Sequence, residues 1–310
     1  MPVQRMLQLF SSHRGPHGER DESNHAGRYN EAVEKRRMCP HCRAFITISD
    51  RVCPYCGEQL GPRAIDMRAS RFAASFLPRA NLTAIIIVAI NVAFYLAEIG
   101  VSYKFTKSLD VSGQVAVLFG AKYAPLIFAG QWWRLITAGF LHGGFWHIAM
   151  NAWALFILVT EVEQFYGTSR LLFAYVFSTF TGFLMSLFWS PRSLSLGASA
   201  ACFGMFGIML AMGLRNRADP LTRAVRAHYG QWLIIGLVLS LVPGVDLAAH
   251  IGGLIGGFLV GIIGGLPGLP NTPREHVWQI LAGIAVAATA YAFLQDFVSY
   301  SALMRQISNT

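Results

Sequence analysis

Charge is scarce in this chain: only 13% of its 310 residues are Asp, Glu, Lys or Arg, against 54% hydrophobic. A soluble domain carries roughly 25% charged residues, so the shortage argues against an ordinary soluble protein and for a membrane protein. Acidic residues are scarcer still, 16 against 25 basic ones, which leaves a net charge of +9. In a membrane protein Lys and Arg gather in cytoplasmic loops and beside anionic head groups. That accounts for the excess, so membrane lipid is an expected partner and nucleic acid is not. The opening MPVQRMLQLFSSHRGPHGER lacks an apolar core of signal-peptide length followed by a small-residue cleavage site. The expectation is an uncleaved N-terminus that stays in the cytosol. Cysteine is sparse too, five in all with four in one cluster, which argues for metal and against a disulfide framework.

The apolar residues are unevenly spread. Residues 1–37 have no apolar period and read as a flexible tail. Residues 38–60 form a small module, and 61–80 a basic linker with Arg63, Arg68, Arg71 and Arg79. Seven apolar segments follow, over 81–100, 145–160, 171–189, 198–214, 231–242, 246–266 and 277–298. A helix needs about 20 apolar residues to cross a bilayer. The second and fifth fall short of that, and the fifth could begin as early as His228. The linker arginines and the group Arg215, Arg217, Arg223 and Arg226 should both be cytoplasmic. Four crossings between them satisfy both. The outer side then holds the long loop 101–144 and the short turns 190–193 and 243–246; Lys104, Lys107 and Lys122 in the long loop weaken the rule slightly.

In the small module, Cys39-Pro-His-Cys42 and Cys53-Pro-Tyr-Cys56-Gly57 are two turns that each present two thiolates, ten residues apart. A structural zinc ion takes a closed tetrahedral shell of four such ligands. The segment is too short to bury a core of its own, so the metal would supply its folding energy. His41 is a spare donor, although such a residue is more often solvated. The resemblance to zinc ribbons leaves the ribbon's partner unknown.

Ionisable and hydroxyl groups within apolar segments are costly and usually functional. The stretch HGGFWHIAMNAW that leads into the second segment carries His142, His147 and Asn151, the fourth opens on Ser199, and the sixth opens near His250. All three segments enter from the outer side, so these groups lie at a similar shallow depth. His147 and Asn151 are four apart and share one helical face. If the fifth segment failed to cross, Ser199 and His250 would lie on opposite sides. Gly253, Gly257 and Gly261 recur every four residues, and Gly204 and Gly207 lie below Ser199. Small residues at that spacing let helix backbones approach closely in lipid, either for ordinary packing or to bring a Ser on one helix to a His on another.

Gly197-Ala198-Ser199, His147-x-x-x-Asn151, Ala249-His250 with its glycine ladder, Trp133-Arg134, and Glu163 with Gly167 together resemble the rhomboid family over about residues 80–266. The resemblance implies an all-α polytopic membrane protein: a six-helix core over 81–266, preceded by the ribbon and followed by a seventh span at 277–298. It implies an intramembrane serine endopeptidase with Ser199 as nucleophile and His250 as general base. His147 and Asn151 would stabilise the oxyanion, with His142, Gly197 and Phe203 in support. Catalysis would need no cofactor, and zinc would be structural. The substrates would be other membrane-spanning proteins, cleaved near the outer face. The absence of targeting composition suggests a bacterial-type plasma membrane. Phe203 stands where rhomboids commonly carry tyrosine and Ala200 where glycine is frequent, which raises a question over the level of activity. The alternatives are a catalytically silent rhomboid-like protein that binds membrane helices, a small transporter or channel, and an anchor for the ribbon.

Overall fold

The structure, a computed structural model, describes residues 36–39, 41–47, 50, 52–58, 79–108, 110–215, 220–268 and 272–308. Most of the expected tail and linker, including Arg63, Arg68 and Arg71, lies outside the described residues, as does Arg217. The chain divides into two compact units, with the boundary after Ser70.

The first unit is a two-stranded antiparallel ribbon, β1 (Arg36–Met38) against β2 (Phe45–Thr47), in register Met38 to Phe45. The ribbon starts two residues earlier than the sequence pattern suggested, so residues 36 and 37 belong to β1 and not to the tail. Among the described residues its buried apolar side chains are Cys39, Ile46 and Cys53.

The second unit is helical. Helix α1 (Arg79–Thr106) leads into short helices α2 (Gly113–Leu118), α3 (Ala124–Phe128) and α4 (Arg134–Thr137), with a 3-10 turn at Ala138–Phe140. Then come α5 (Phe145–Trp189), α6 (Ser199–Arg215), α7 (Pro220–Leu239), α8 (Leu247–Gly264) and α9 (Pro273–Ser308). An apolar chain in lipid must satisfy its own backbone hydrogen bonds, which is why the long segments are helices. Helix α5 has 45 residues, roughly 68 Å at 1.5 Å per residue, twice the hydrocarbon thickness. Its backbone breaks at Gly167, where φ is 75°, a conformation that glycine tolerates and other residues resist. Thus α5 supplies two spans. Beside the break, Glu163 accepts hydrogen bonds from Thr83 and Thr168, both 2.7 Å, which ties the start of α1 to the turn.

By length and composition, four helices suffice to cross a membrane: 81–106, 145–189, 247–264 and 273–301. Helix α6 is apolar but shorter, at 17 residues. Helix α7 begins at Pro220, eleven residues before the fifth apolar segment; Arg223, Arg226 and His228 in its first half keep that stretch out of the apolar run. It ends at Leu239, short of the expected Val242. Large apolar side chains such as Ile86, Leu96, Ile234, Ile263, Ile280 and Phe297 face outward. That is the surface of an integral membrane protein.

Helix α8 sits at the centre, packed against α5 and α6, while α7 leans chiefly on α6 and α9 on α5 and α4. Close approach depends on the α8 glycines. A Cβ at Gly257 would run into the backbone of Gly204, and one at Gly253 into that of Ala200. Arg134 closes the long loop from within: Nη1 donates to Val117 O and Ala121 O, at 2.7 and 3.1 Å, and Nε to Gln131 Oε1 at 2.7 Å. Lys122 is not a loop charge in water. It is buried, and Nζ donates to Ser190 O, Ser193 O and Ser193 Oγ at 2.7–3.2 Å, which places a cation at the C-terminus of α5. Lys104 likewise belongs to α1, because that helix runs past residue 100.

Candidate active site

The Ser199 Oγ and His250 Nε2 atoms lie 2.7 Å apart. The two residues are 51 positions apart and sit on different helices, each in the first turn, so the chain crosses between α6 and α8 by way of α7. Asp246 caps α8 by accepting from Ala249 N at 3.0 Å, and its other oxygen accepts from Ser186 of α5. This pairing fixes the height of His250.

The turn into Ser199 explains Gly197. Its φ is 129°, and its N–H donates to Ala138 O at 2.9 Å. A Cβ there would lie 2.6 Å from His147 Nε2 and 3.7 Å from Asn151 Nδ2. Two side chains from one face of α5 therefore crowd the turn that presents Ser199. His147 Nδ1 accepts a long bond from Gly143 N, 3.4 Å, so the ring proton is on Nε2, aimed toward the turn. In α6, Cys202 N donates to Ala198 O at 3.1 Å, and the amides before it are free of the helical ladder. A donor set of this kind suits an anionic oxygen.

Phe203 is buried one turn below Ser199, and its ring stacks on His250 with centroids 4.1 Å apart and planes 11° apart. His142 is fully buried with its ring 5.0 Å from that of His147. Its backbone N–H donates to Glu98 Oε2 at 3.1 Å. Neither ring nitrogen has a protein partner among the described residues.

Sequence reasoning missed two buried polar groups around the site. Ser240 Oγ lies 2.6 Å from His250 Nδ1, and Glu98 is buried behind His142. Both are polar groups in apolar runs, the criterion that singled out Ser199 and His250, but neither stands in a motif with a visible partner.

In the ribbon unit, the Sγ atoms of Cys39, Cys42, Cys53 and Cys56 lie within 4.8 Å of one another. The pairs Cys39–Cys56 and Cys42–Cys53 are 3.7 and 3.6 Å apart, far beyond a disulfide bond. A zinc–sulfur bond of about 2.3 Å gives a tetrahedral edge of about 3.8 Å, so four thiolates placed this way fit one zinc ion. The Cys42 backbone N–H pulls Cys39 down to about 6, whereas burial and the neighbouring sulfurs push Cys56 up to about 12. Gly57, with φ 74°, returns the chain past the cluster.

The Rhomboid domain model matches residues 129–266. Rhomboid protease GluP of Bacillus subtilis (strain 168) is 37% identical over 217 residues, which is 69% of this chain and 41% of GluP. RHOMBOID-like protein 6, mitochondrial, of Arabidopsis thaliana is 39% identical over 132 residues, covering 42% of this chain and 43% of that protein. The chain therefore spans less than half the length of these two relatives. Rhomboid protease AarA of Providencia stuartii is 31% identical over 229 residues, covering 66% of this chain and 78% of that protein.

Proposed function

We propose that this chain, which belongs to the rhomboid family, is an intramembrane serine endopeptidase working through Ser199 and His250. The observation that carries the reading is the 2.7 Å contact between the Ser199 hydroxyl and His250 Nε2. A serine hydroxyl is a weak nucleophile until a base removes its proton. In the proposed cycle, Ser199 Oγ attacks the scissile carbonyl while His250 Nε2 takes the proton. The carbonyl oxygen becomes an oxyanion beside His147 Nε2–H, Asn151 and the first amides of α6. Collapse returns the proton from His250 to the leaving amine and leaves an acyl-enzyme at Ser199. Water, deprotonated by the same ring, then releases the second product. His142 supports the His147 ring from behind.

The substrate class is other membrane-spanning proteins. A substrate helix must unwind locally, because a carbonyl bound within a helix is not presented to Ser199. The arginines that flank α1 and α7 favour a cytoplasmic N-terminus, which puts the first turns of α6 and α8 near the outer face of a bacterial-type plasma membrane. On this reading, residues 81–266 are the catalytic core, 277–298 lie in an added seventh span, and 38–60 are a zinc ribbon with a structural ion.

The test uses wild-type protein, Ser199→Ala and His250→Ala, each reconstituted in liposomes with a single-span substrate. Cleavage by wild type that disappears in both variants supports the reading. Equal cleavage by Ser199→Ala and wild type would overturn it.

A further inference from the structure

The cycle above uses only one nitrogen of His250. The other, Nδ1, lies 2.6 Å from Oγ of Ser240, the residue that follows α7. Both side chains are buried, at 6% and 3% exposure. The same Oγ lies 2.6 Å from Gly236 O, the carbonyl one turn back in α7. A hydroxyl has a single proton to give. Gly236 O can only accept, so the Ser240 proton goes there, and Ser240 Oγ must accept from Nδ1. Nδ1 therefore carries the ring hydrogen, Nε2 presents its lone pair, and Ser199 donates its O–H to that lone pair. This is the tautomer that a general base needs. With the other one, Nε2–H would point at Ser199 and no proton could leave.

We propose that Ser240 is a positioning residue that fixes the tautomer and orientation of His250 and makes both depend on the seating of α7. The proposal rests on the reading of Ser199 and His250 as nucleophile and base. When Ser199 Oγ attacks, its proton moves to Nε2. Nδ1–H stays on Ser240 Oγ, whose lone pair faces the new cation, and Ser240 itself breaks no bond.

Helix α7 reaches the ring by a second route. A Cβ at Gly236 would lie 3.0 Å from Phe203 Cζ, so the α7 backbone rests on the ring that stacks against His250. Gly236, Phe203, His250 and Ser240 thus form a closed circuit around the imidazole, one contact on its face and one on its edge. Two of its four members are in or next to α7. That helix packs chiefly on α6, and its outer residues Ile234 and Val238 are exposed. Withdrawing its end would remove the hydroxyl and the Phe203 support together. Phe203 offers no hydroxyl of its own, and in this chain Ser240 supplies the polar contact.

The experiment compares wild type, Ser240→Ala and Ser240→Thr for cleavage in liposomes and for the rate of labelling by a small fluorophosphonate. The label reports the activated serine without requiring entry of a substrate helix. Ser240→Ala should lower kcat and the labelling rate about tenfold to a hundredfold, the loss expected when a buried donor is left unpaired. KM should stay within about twofold, because no substrate contact is removed. Ser240→Thr keeps the hydroxyl and should recover both rates to within about threefold. Nitrogen-15 spectra of ring-labelled histidine, with His250 assigned by its loss in His250→Asn, should show Nδ1 protonated in wild type and a tautomer mixture in Ser240→Ala. Wild-type rates in Ser240→Ala would overturn the proposal. So would failure of Ser240→Thr to recover, or a wild-type spectrum with the proton on Nε2. A wild-type protein that neither cleaves nor labels would instead overturn the reading beneath it.

Discussion

Consider replacing Gly257 by alanine, a change of one methyl group seven residues beyond His250 and deep between α8 and α6. The added Cβ would run into Gly204 O, with Gly204 C and Cα only 2.5 and 2.6 Å away. Those atoms are backbone, so no side chain can turn aside. Carbon atoms rest at about 3.5–4.0 Å, so the two helices must separate by about 1 Å. Overpacking of this kind costs roughly 1–3 kcal/mol. The larger effect is on the chemistry. A 1 Å separation carried up α8 would stretch the 2.7 Å contact between Ser199 and His250 beyond hydrogen-bonding range. A misplacement of that size can cost about a hundredfold in rate. The assay is liposome cleavage together with a thermal melt in detergent. The control is Gly283→Ala in α9, where an added Cβ meets nothing within 4 Å. The control should melt at or slightly above the wild-type temperature, because alanine is preferred to glycine in a helix. Cleavage by Gly257→Ala at the wild-type rate would refute this, since α8 would then tolerate a shift without moving His250 away from Ser199.

Three further outcomes follow from the same geometry. Purified protein should contain one zinc per chain by atomic emission, and Cys39→Ser or Cys53→Ser should lose it, because three thiolates leave the tetrahedral shell open. Zinc retained at full stoichiometry in both variants would remove the ribbon reading. Phe203→Ala should lower kcat about tenfold by releasing the face of His250, through loss of a stacked ring pair worth about 0.5–1.5 kcal/mol, while Phe203→Tyr should stay close to wild type. Lys122→Met should lower stability by roughly 2–3 kcal/mol, the scale of losing charge-assisted hydrogen bonds to buried acceptors, measured by thermal or denaturant unfolding in detergent.

The polar groups of the proposed pair, Ser199 and His250, are legible because they stand in apolar segments and because the order of crossings brings them to one side. The 2.7 Å contact could form only if the fifth segment crosses. That segment was harder to place than the others: Arg223, Arg226 and His228 lower its hydropathy, yet the helix runs through them from Pro220. Ser240 escaped notice for a different reason. One hydroxyl in LIIGLVLSLV reads as tolerated in a helix, and its partner lies ten residues on, across a turn whose closure the sequence does not display. The acceptors of Lys122 and Arg134 are mostly backbone carbonyls, which leave no mark on a sequence, so Lys122 stands there only as one more charge in the long loop. Gly197, by contrast, was visible as part of a motif, and the structure supplies its physical cause in the crowding of His147.

The most direct test of the central claim is to label wild-type protein and His250→Ala with a fluorophosphonate and map the modified peptide by mass spectrometry. A single phosphonylated residue, Ser199, is expected in wild type, with labelling at least about a hundredfold slower without the base. A label on another serine, or one on Ser199 that forms at the same rate without His250, would contradict it.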